Sequence, residues 1–392
     1  MNSRPLQPRK SFLRSLQCID QPLLFAMLAI LTIGLVMIYS ASISHAQVEY
    51  GDGFYYLKRH LIFLVLGMIT AAIILAAPSR IWYRLSPPLF IVTVLLLLVV
   101  LFTPEINGSK RWISLGPFNL QAAEVAKFTV ILFLAGYLER HQEQLRAEWR
   151  SVFKPLVVVG LVIILLFFEP DYGSMVVISA TVFCMLFIAG VALWQFGIIS
   201  ISAAAGLFYV AIMEQYRWER LKTFMNPWLD PGDSGYQITN SMMAFGQGEW
   251  LGAGLGKSVQ KLHYLPEAHT DFIFSIYAEE FGLVGVTLVI FLYALLVYRI
   301  LHIARQAMKG KDWFATYSCI GIAMLLAMQS FINIGVTSGL LPTKGLTLPF
   351  ISYGGSSLLV CIAMVVLVLK ISSEVGDTRE TGKRVRRDRA EM

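Results

Sequence analysis

Apolar residues gather along this chain in runs of about 17 to 25, long enough for a helix to cross about 30 Å of hydrocarbon, with short polar stretches between them. Ten such runs predict ten membrane helices, at 22–43, 60–77, 87–103, 121–138, 152–168, 173–191, 193–213, 273–298, 314–336 and 353–371. The sixth and seventh nearly join across Val191 and Ala192, so hydropathy by itself also admits nine. Charge decides for ten. With both termini cytoplasmic, the inner segments collect Arg4, Arg9, Lys10 and Arg14, then Arg80 and Arg84, then Arg140, Arg146, Arg150 and Lys154, then Arg299, Arg305, Lys309 and Lys311. Nine spans would put the basic tail Arg379 to Arg389 outside, against the positive-inside rule.

The expected fold is therefore all-α: a polytopic membrane protein of about ten transmembrane helices, with a large outer loop between helices 7 and 8. Composition agrees, since 56% of residues are hydrophobic and 15% charged, against roughly a quarter charged in soluble domains. The net charge of +7 reads as topology, and the basic tail as a partner for anionic inner-leaflet lipid, not nucleic acid. Residues 1–20 form a cytoplasmic segment, 21–372 one membrane domain, and 373–392 a tail expected to be disordered because no apolar residue recurs there at helical spacing. Cys18, Cys184, Cys319 and Cys361 show no metal-ligand spacing and read as packing residues.

Loop length locates the chemistry. The outer loop at 214–272 is long, and loops of that size in a compact domain are functional or disordered. Its aromatic content, Tyr216, Trp218, Phe224, Trp228, Tyr236, Phe245, Trp250 and Tyr264, predicts order. Arg217, Arg220, Lys222, Lys257 and Lys261 put cations on the side where they are rare, as an anionic ligand would require. Trp250 to Ser258 ends in GKS but has Leu251 where a P-loop needs glycine, so Gly252, Gly254 and Gly256 are read as a tight turn or close backbone approach.

Four polar segments fall on the outer side. The first, Lys261 to Gly282, holds His263, Glu267, His269 and Asp271; their spacing fits no zinc pattern, and Pro266 interrupts any helix that would align them. Asp271, directly before an apolar run, is open to two readings, a helix N-cap or a reactive carboxylate. The second, Asn107 to Phe128, carries Lys110 and Arg111, then Glu124 and Lys127, whose i,i+3 spacing shares a helix face and allows an ion pair. The third, Leu341 to Leu358, has prolines and glycines that forbid a continuous helix. The turn Glu169 to Ser174 is the fourth.

At NGSKRWI, QAAEVAK, EPDYG, DPGDSGYQ, YLPEAHTDFIF and GLTLPFISYGGSS, in that order over about residues 20 to 372, the chain strongly resembles the SEDS family (shape, elongation, division and sporulation). Its members are polytopic glycosyltransferases that polymerise peptidoglycan from lipid II, and the last two motifs look more like the cell-division branch than the elongation branch. Ala122 and Ala123 depart from the Pro and Ser the family often has before the glutamate. The resemblance implies a catalytic carboxylate at Asp271, acting as general base on a sugar 4-hydroxyl. It implies substrate contacts, to diphosphate or glycan, among Arg111, Glu124, Lys127, Arg217, Gln237, Lys257, Lys261, His269, Ser352 and Gly354. The sequence specifies no cofactor; Asp271 and diphosphate oxygens together suit a bridging Mg2+. Implied partners are lipid II, the nascent glycan, a class B penicillin-binding protein and other division proteins of the inner membrane at the septum. Lipid II flipping without bond chemistry, or a non-catalytic scaffold, are the alternatives; a flippase predicts charges deep in several spans, whereas these gather at the outer face.

Overall fold

The computed structural model describes residues 19–390 apart from 106–109, 117, 193, 199, 203–204, 207–222, 230–234, 263 and 344. Helices dominate: α1 (Gln21–Tyr50), α2 (Tyr55–Ala76), α3 (Ser79–Val100), α4 (Ala122–Arg140), α5 (Trp149–Phe168), α6 (Tyr172–Ile188), α7 (Tyr236–Gly248), α8 (Ile273–Lys309), α9 (Trp313–Thr337) and α10 (Gly355–Ala390). Seven of these are long and apolar enough to cross a membrane. The helices α4 and α6 coincide with two further expected spans, α4 being diluted by Glu124 and Lys127 and α6 having only 17 residues. The seventh expected span, 193–213, lies largely outside the described residues. The chain is a multi-pass membrane protein.

α8 packs against α9 and α1, α9 against α4, and α10 against α2. Two cross-chain contacts tie the face away from Asp271. Arg299 near the end of α8 pairs with Asp20, the N-cap of α1, and Glu374 of α10 accepts from the Ser79 backbone N–H at 3.0 Å, capping α3 from outside. Within α3, Pro87 cannot donate to the Tyr83 carbonyl, and the Ser86 hydroxyl does so instead at 2.9 Å, which lets the helix run through two prolines.

Three features differ from the sequence reading. Trp112–Leu115 and Phe118–Gln121 form a short antiparallel hairpin, β1 and β2, in register Trp112 to Gln121. The tail expected to be disordered continues α10 as helix to Ala390. The criterion of apolar periodicity missed it because extending an existing helix avoids the nucleation penalty, and Glu, Lys and Arg are good helix formers.

The third difference is a break in α8. Gly282 has φ +62° and ψ −163°, separating an initial half-helix from the long membrane helix. The backbone groups released there are taken up by the glycine-rich segment: Ala253 N–H donates to Glu279 O at 2.9 Å, Gly254 to Glu280 O at 3.1 Å, and in return Leu283 donates to Glu249 O at 2.9 Å and Val284 to Trp250 O at 3.1 Å. A Cβ on Gly252 would stand 2.2 Å from the Glu280 carbonyl oxygen, so only glycine permits the approach. The P-loop look-alike is thus a patch for a broken helix.

Candidate functional site

Asp271 sits in the last turn before α8. The N-cap position belongs to Phe272, whose side chain makes no cap, and Asp271 stands one residue before it. Its surroundings are built from α9 and the segment before α10. Asn333 Nδ2 donates both to the Asp271 carbonyl at 2.9 Å and to the Leu346 carbonyl at 2.6 Å, stitching the two loops together. One turn earlier on the same helix, Gln329 Nε2 donates to Thr347 O at 2.9 Å. The carboxylate then lies against Gly345: a Cβ there would be 2.9 Å from Asp271 Oδ2.

Beneath this floor is the ion pair that the i,i+3 spacing implied. Lys127 Nζ is 2.7 Å from Glu124 Oε1, both buried, and 3.4 Å from Gln329 Oε1. Thr347 Oγ1 in turn meets Ser357 Oγ at 3.0 Å. Lys127 therefore reaches the Asp271 neighbourhood through Gln329 and Thr347. With 1% of its surface exposed, it supports the site's floor.

The hairpin and the turn after α5 form a flank. Arg111 donates to the carbonyls of Glu169 (3.3 Å) and Pro170 (2.5 Å), gripping the turn by its backbone. Asp171 accepts from the Ser174 N–H at 3.1 Å and caps α6. Gly173 abuts Leu346 so closely that a Cβ would clash at 2.8 Å, which sets this turn against the Asp271 loop partner. Glu169 is fully buried, and its carboxylate oxygens have no hydrogen-bond partner among the described residues. Burial, reinforced by the charge of Asp171 and opposed by Arg111, pushes its carboxyl up to about 8.

On the other flank His269 is held by its carbonyl, which accepts from Tyr353 N–H at 3.0 Å, and by rings of Tyr56 and His45 at 4.5 and 5.4 Å. Burial pulls its imidazole down to about 4, so it is neutral at ordinary pH and brings no positive charge to a diphosphate.

The remaining candidates scatter. Lys261 is buried in a pair with Glu280 (2.9 Å) and also donates to Ser40 Oγ (3.1 Å); this ammonium fastens the loop to α1 and α8 and does not face a groove. The Ser352 hydroxyl accepts from Leu348 N–H at 2.7 Å inside its own turn, and Gly354 begins the first turn of α10 by accepting from Leu358 N–H. Gln237 lies half-buried on α7 and Lys257 is exposed on the glycine-rich segment. Arg217 and His263 are outside the described residues. Among the described residues no group of three or more His, Cys, Asp or Glu could hold a metal ion. The donor set at Asp271 thus suits only an ion held chiefly by substrate oxygens and water.

Sequence reasoning missed Gln329, Asn333, Glu279 and Glu280. Gln329 and Asn333 were visible as polar residues at i and i+4 in an otherwise apolar span, which is itself a signal. Glu279 accepts from Val259 N–H at 2.7 Å and from the Ser258 hydroxyl, the Ser of GKS, at 2.5 Å.

Residues 21–376 match the profile of a family described as cell cycle protein, that of FtsW, RodA and SpoVE. Among curated proteins, the chain is 47% identical over 364 residues to the probable peptidoglycan glycosyltransferase FtsW of Saccharophagus degradans, covering 92% of this chain and 94% of that one. It is 46% identical over 358 residues to the protein of the same description from Coxiella burnetii, covering 91% and 96%. Among solved structures, a chain of a peptidoglycan synthase complex that coordinates polymerization and crosslinking superposes with a TM-score of 0.75 at 31% identity, over 91% of this chain and 98% of that one. The rod shape determining protein RodA of Thermus thermophilus gives 0.66 at 29%, over 90% and 96%.

Proposed function

Because this chain belongs to the FtsW, RodA and SpoVE family of cell cycle proteins, we propose that it is a peptidoglycan glycosyltransferase that polymerises lipid II at the division septum, with Asp271 as general base. The observation that carries the assignment of Asp271 is its seat: a carboxylate placed against Gly345, where its own loop and that glycine's segment are joined by Asn333. A rigid mount of this kind suits proton abstraction, since a base must lie within hydrogen-bond reach, about 3 Å between heavy atoms or through one water, of the group it deprotonates.

In the transfer step Asp271 withdraws the proton from the 4-hydroxyl of one lipid II while that oxygen attacks the anomeric carbon of the glycan carried on a second polyprenyl diphosphate. The new glycosidic bond forms as the carbon–diphosphate bond breaks, and the diphosphate leaves with the electron pair. Arg111 contributes positive potential from the flank, while its hydrogen bonds and the neutral Glu124–Lys127 pair keep the surrounding loops in place. Asp271 is also the residue that would hold a Mg2+ ion, which would supply positive charge to the leaving group.

The polymerase works beside a class B penicillin-binding protein, in keeping with the synthase complex that this chain resembles. It lies in the inner membrane with both termini cytoplasmic and Asp271 on the outer side. Purified chain, alone and with that partner, given lipid II should yield glycan polymer on a gel. Asp271→Ala and Asp271→Asn should yield none while unfolding at the native temperature; polymer from Asp271→Ala would overturn the assignment.

A further inference from the structure

The corner between α1 and α2 ends in a group of rings that the transfer step leaves without a task. Tyr50 and Tyr55 stack with centroids 3.9 Å apart and planes within 7°. Tyr56 sets its edge against both, at 5.9 and 5.4 Å. Arg59 holds Tyr55 from above its ring at 5.4 Å and donates to its hydroxyl at 3.0 Å. Tyr50, at the end of α1, keeps 45% of its surface exposed. Glu49, the residue before it, has Oε2 3.1 Å from Nδ1 of His45 one turn earlier, and both side chains are about half exposed at 50% and 42%. This corner is continuous with the catalytic loop, because His269, two residues before Asp271, packs its ring on Tyr56 and His45.

We propose that Tyr50, with Glu49 and His45, forms a sugar-binding shelf that holds a pyranose ring of the glycan beside Asp271. The inference rests on the glycosyltransferase reading and names a substrate contact within it. A pyranose offers a flat C–H face, weakly positive, and a rim of hydroxyls. The negative face of a fixed aromatic ring complements the first, and a carboxylate accepts hydrogen bonds from the second. Few convergent polar groups beside aromatic surface is the usual make-up of a small-ligand site. Tyrosines also anchor proteins at the membrane interface. An anchor, however, calls for neither a locked parallel stack nor a carboxylate–imidazole pair beside it, nor contact with the catalytic loop.

Steady-state polymerisation of lipid II in detergent micelles, where no bilayer remains to anchor, separates the two roles. Tyr50→Leu should raise KM about five- to tenfold with kcat little changed, as expected for the loss of one ring-face contact. Tyr50→Trp, which keeps a face, should stay near the native KM, and Glu49→Gln should raise it by a smaller factor. An unchanged KM in both Tyr50→Leu and Glu49→Gln overturns the shelf, as does an equal rise in Tyr50→Leu and Tyr50→Trp. Those results leave the transfer reading standing so long as native chain makes polymer and Asp271→Asn does not. A native chain without polymerase activity overturns that reading instead.

Discussion

Two lysines of this chain sit in nearly identical chemistry and do different things. Lys127 and Lys261 are each buried, each paired with a buried glutamate at under 3 Å, and each touches one more polar side chain. Around Lys127 that further contact is Gln329, which leads through Thr347 to the segment facing Asp271. Around Lys261 it is Ser40 of α1, so the pair locks the outer segment onto that helix. A buried ion pair contributes little net stability, but removing one partner strands a charge. What such a pair does is therefore set by where its third contact leads.

The largest effect should come from breaking the first pair. Lys127→Ala leaves Glu124 buried and unpaired and should destabilise the protein by about 3–5 kcal/mol, with polymerisation lost. Thermal unfolding and the lipid II gel assay measure the two together. Lys261→Ala should be milder, about 2–3 kcal/mol, because Ser40 still donates to Glu280. The double replacements sharpen the contrast: Lys261→Met with Glu280→Leu should recover stability and activity, whereas Lys127→Met with Glu124→Leu should recover stability without activity. If both doubles are active, the link through Gln329 is without consequence.

Next in size is Asn333→Leu, which removes two hydrogen bonds and should lower stability by about 2 kcal/mol. Its signature is a lower kcat at unchanged KM, since it loosens the mount of Asp271 and no substrate contact. An effect of a different kind, a slope with pH, belongs to Glu169. Its carboxyl is raised from about 4.5 to about 8 by burial, so the unfolded chain ionises first and the native state holds the extra proton. Stability from this group is fully present below pH 4.5 and is lost as pH rises to about 8, after which it levels. Glu169→Gln should show a flatter profile across that window; equal slopes for the two proteins would show that Glu169 ionises normally.

Legibility in the sequence followed the range of the interaction. The Glu124–Lys127 pair lies within one helix turn and could be read from spacing, as could the spans from hydropathy. Glu280 lies 19 residues from Lys261 and 240 from Ser40, and no local pattern connects them, so Lys261 looked like a cation awaiting a ligand. Arg111 misled for a related reason: its positive charge suggested phosphate, whereas its donors grip two backbone carbonyls across 58 and 59 residues. Asp271 was legible as a candidate from its position before an apolar run and from its motif. Its mount was not, because Asn333 and Gly345 come from other parts of the chain.

The break at Gly282 bears on how this protein tolerates change in length. An ordinary surface loop absorbs an inserted residue at small cost, since its two ends are all that is fixed. Here the segment 249–254 is bonded residue by residue to 279–284 through four backbone hydrogen bonds. One added residue in either strand of that pairing would slip every bond beyond it, much as a shifted register does in a sheet. A deletion would pull Gly252 away from the Glu280 carbonyl, which it approaches too closely for any Cβ. Insertion scanning should therefore find 249–254 as intolerant as the membrane helices.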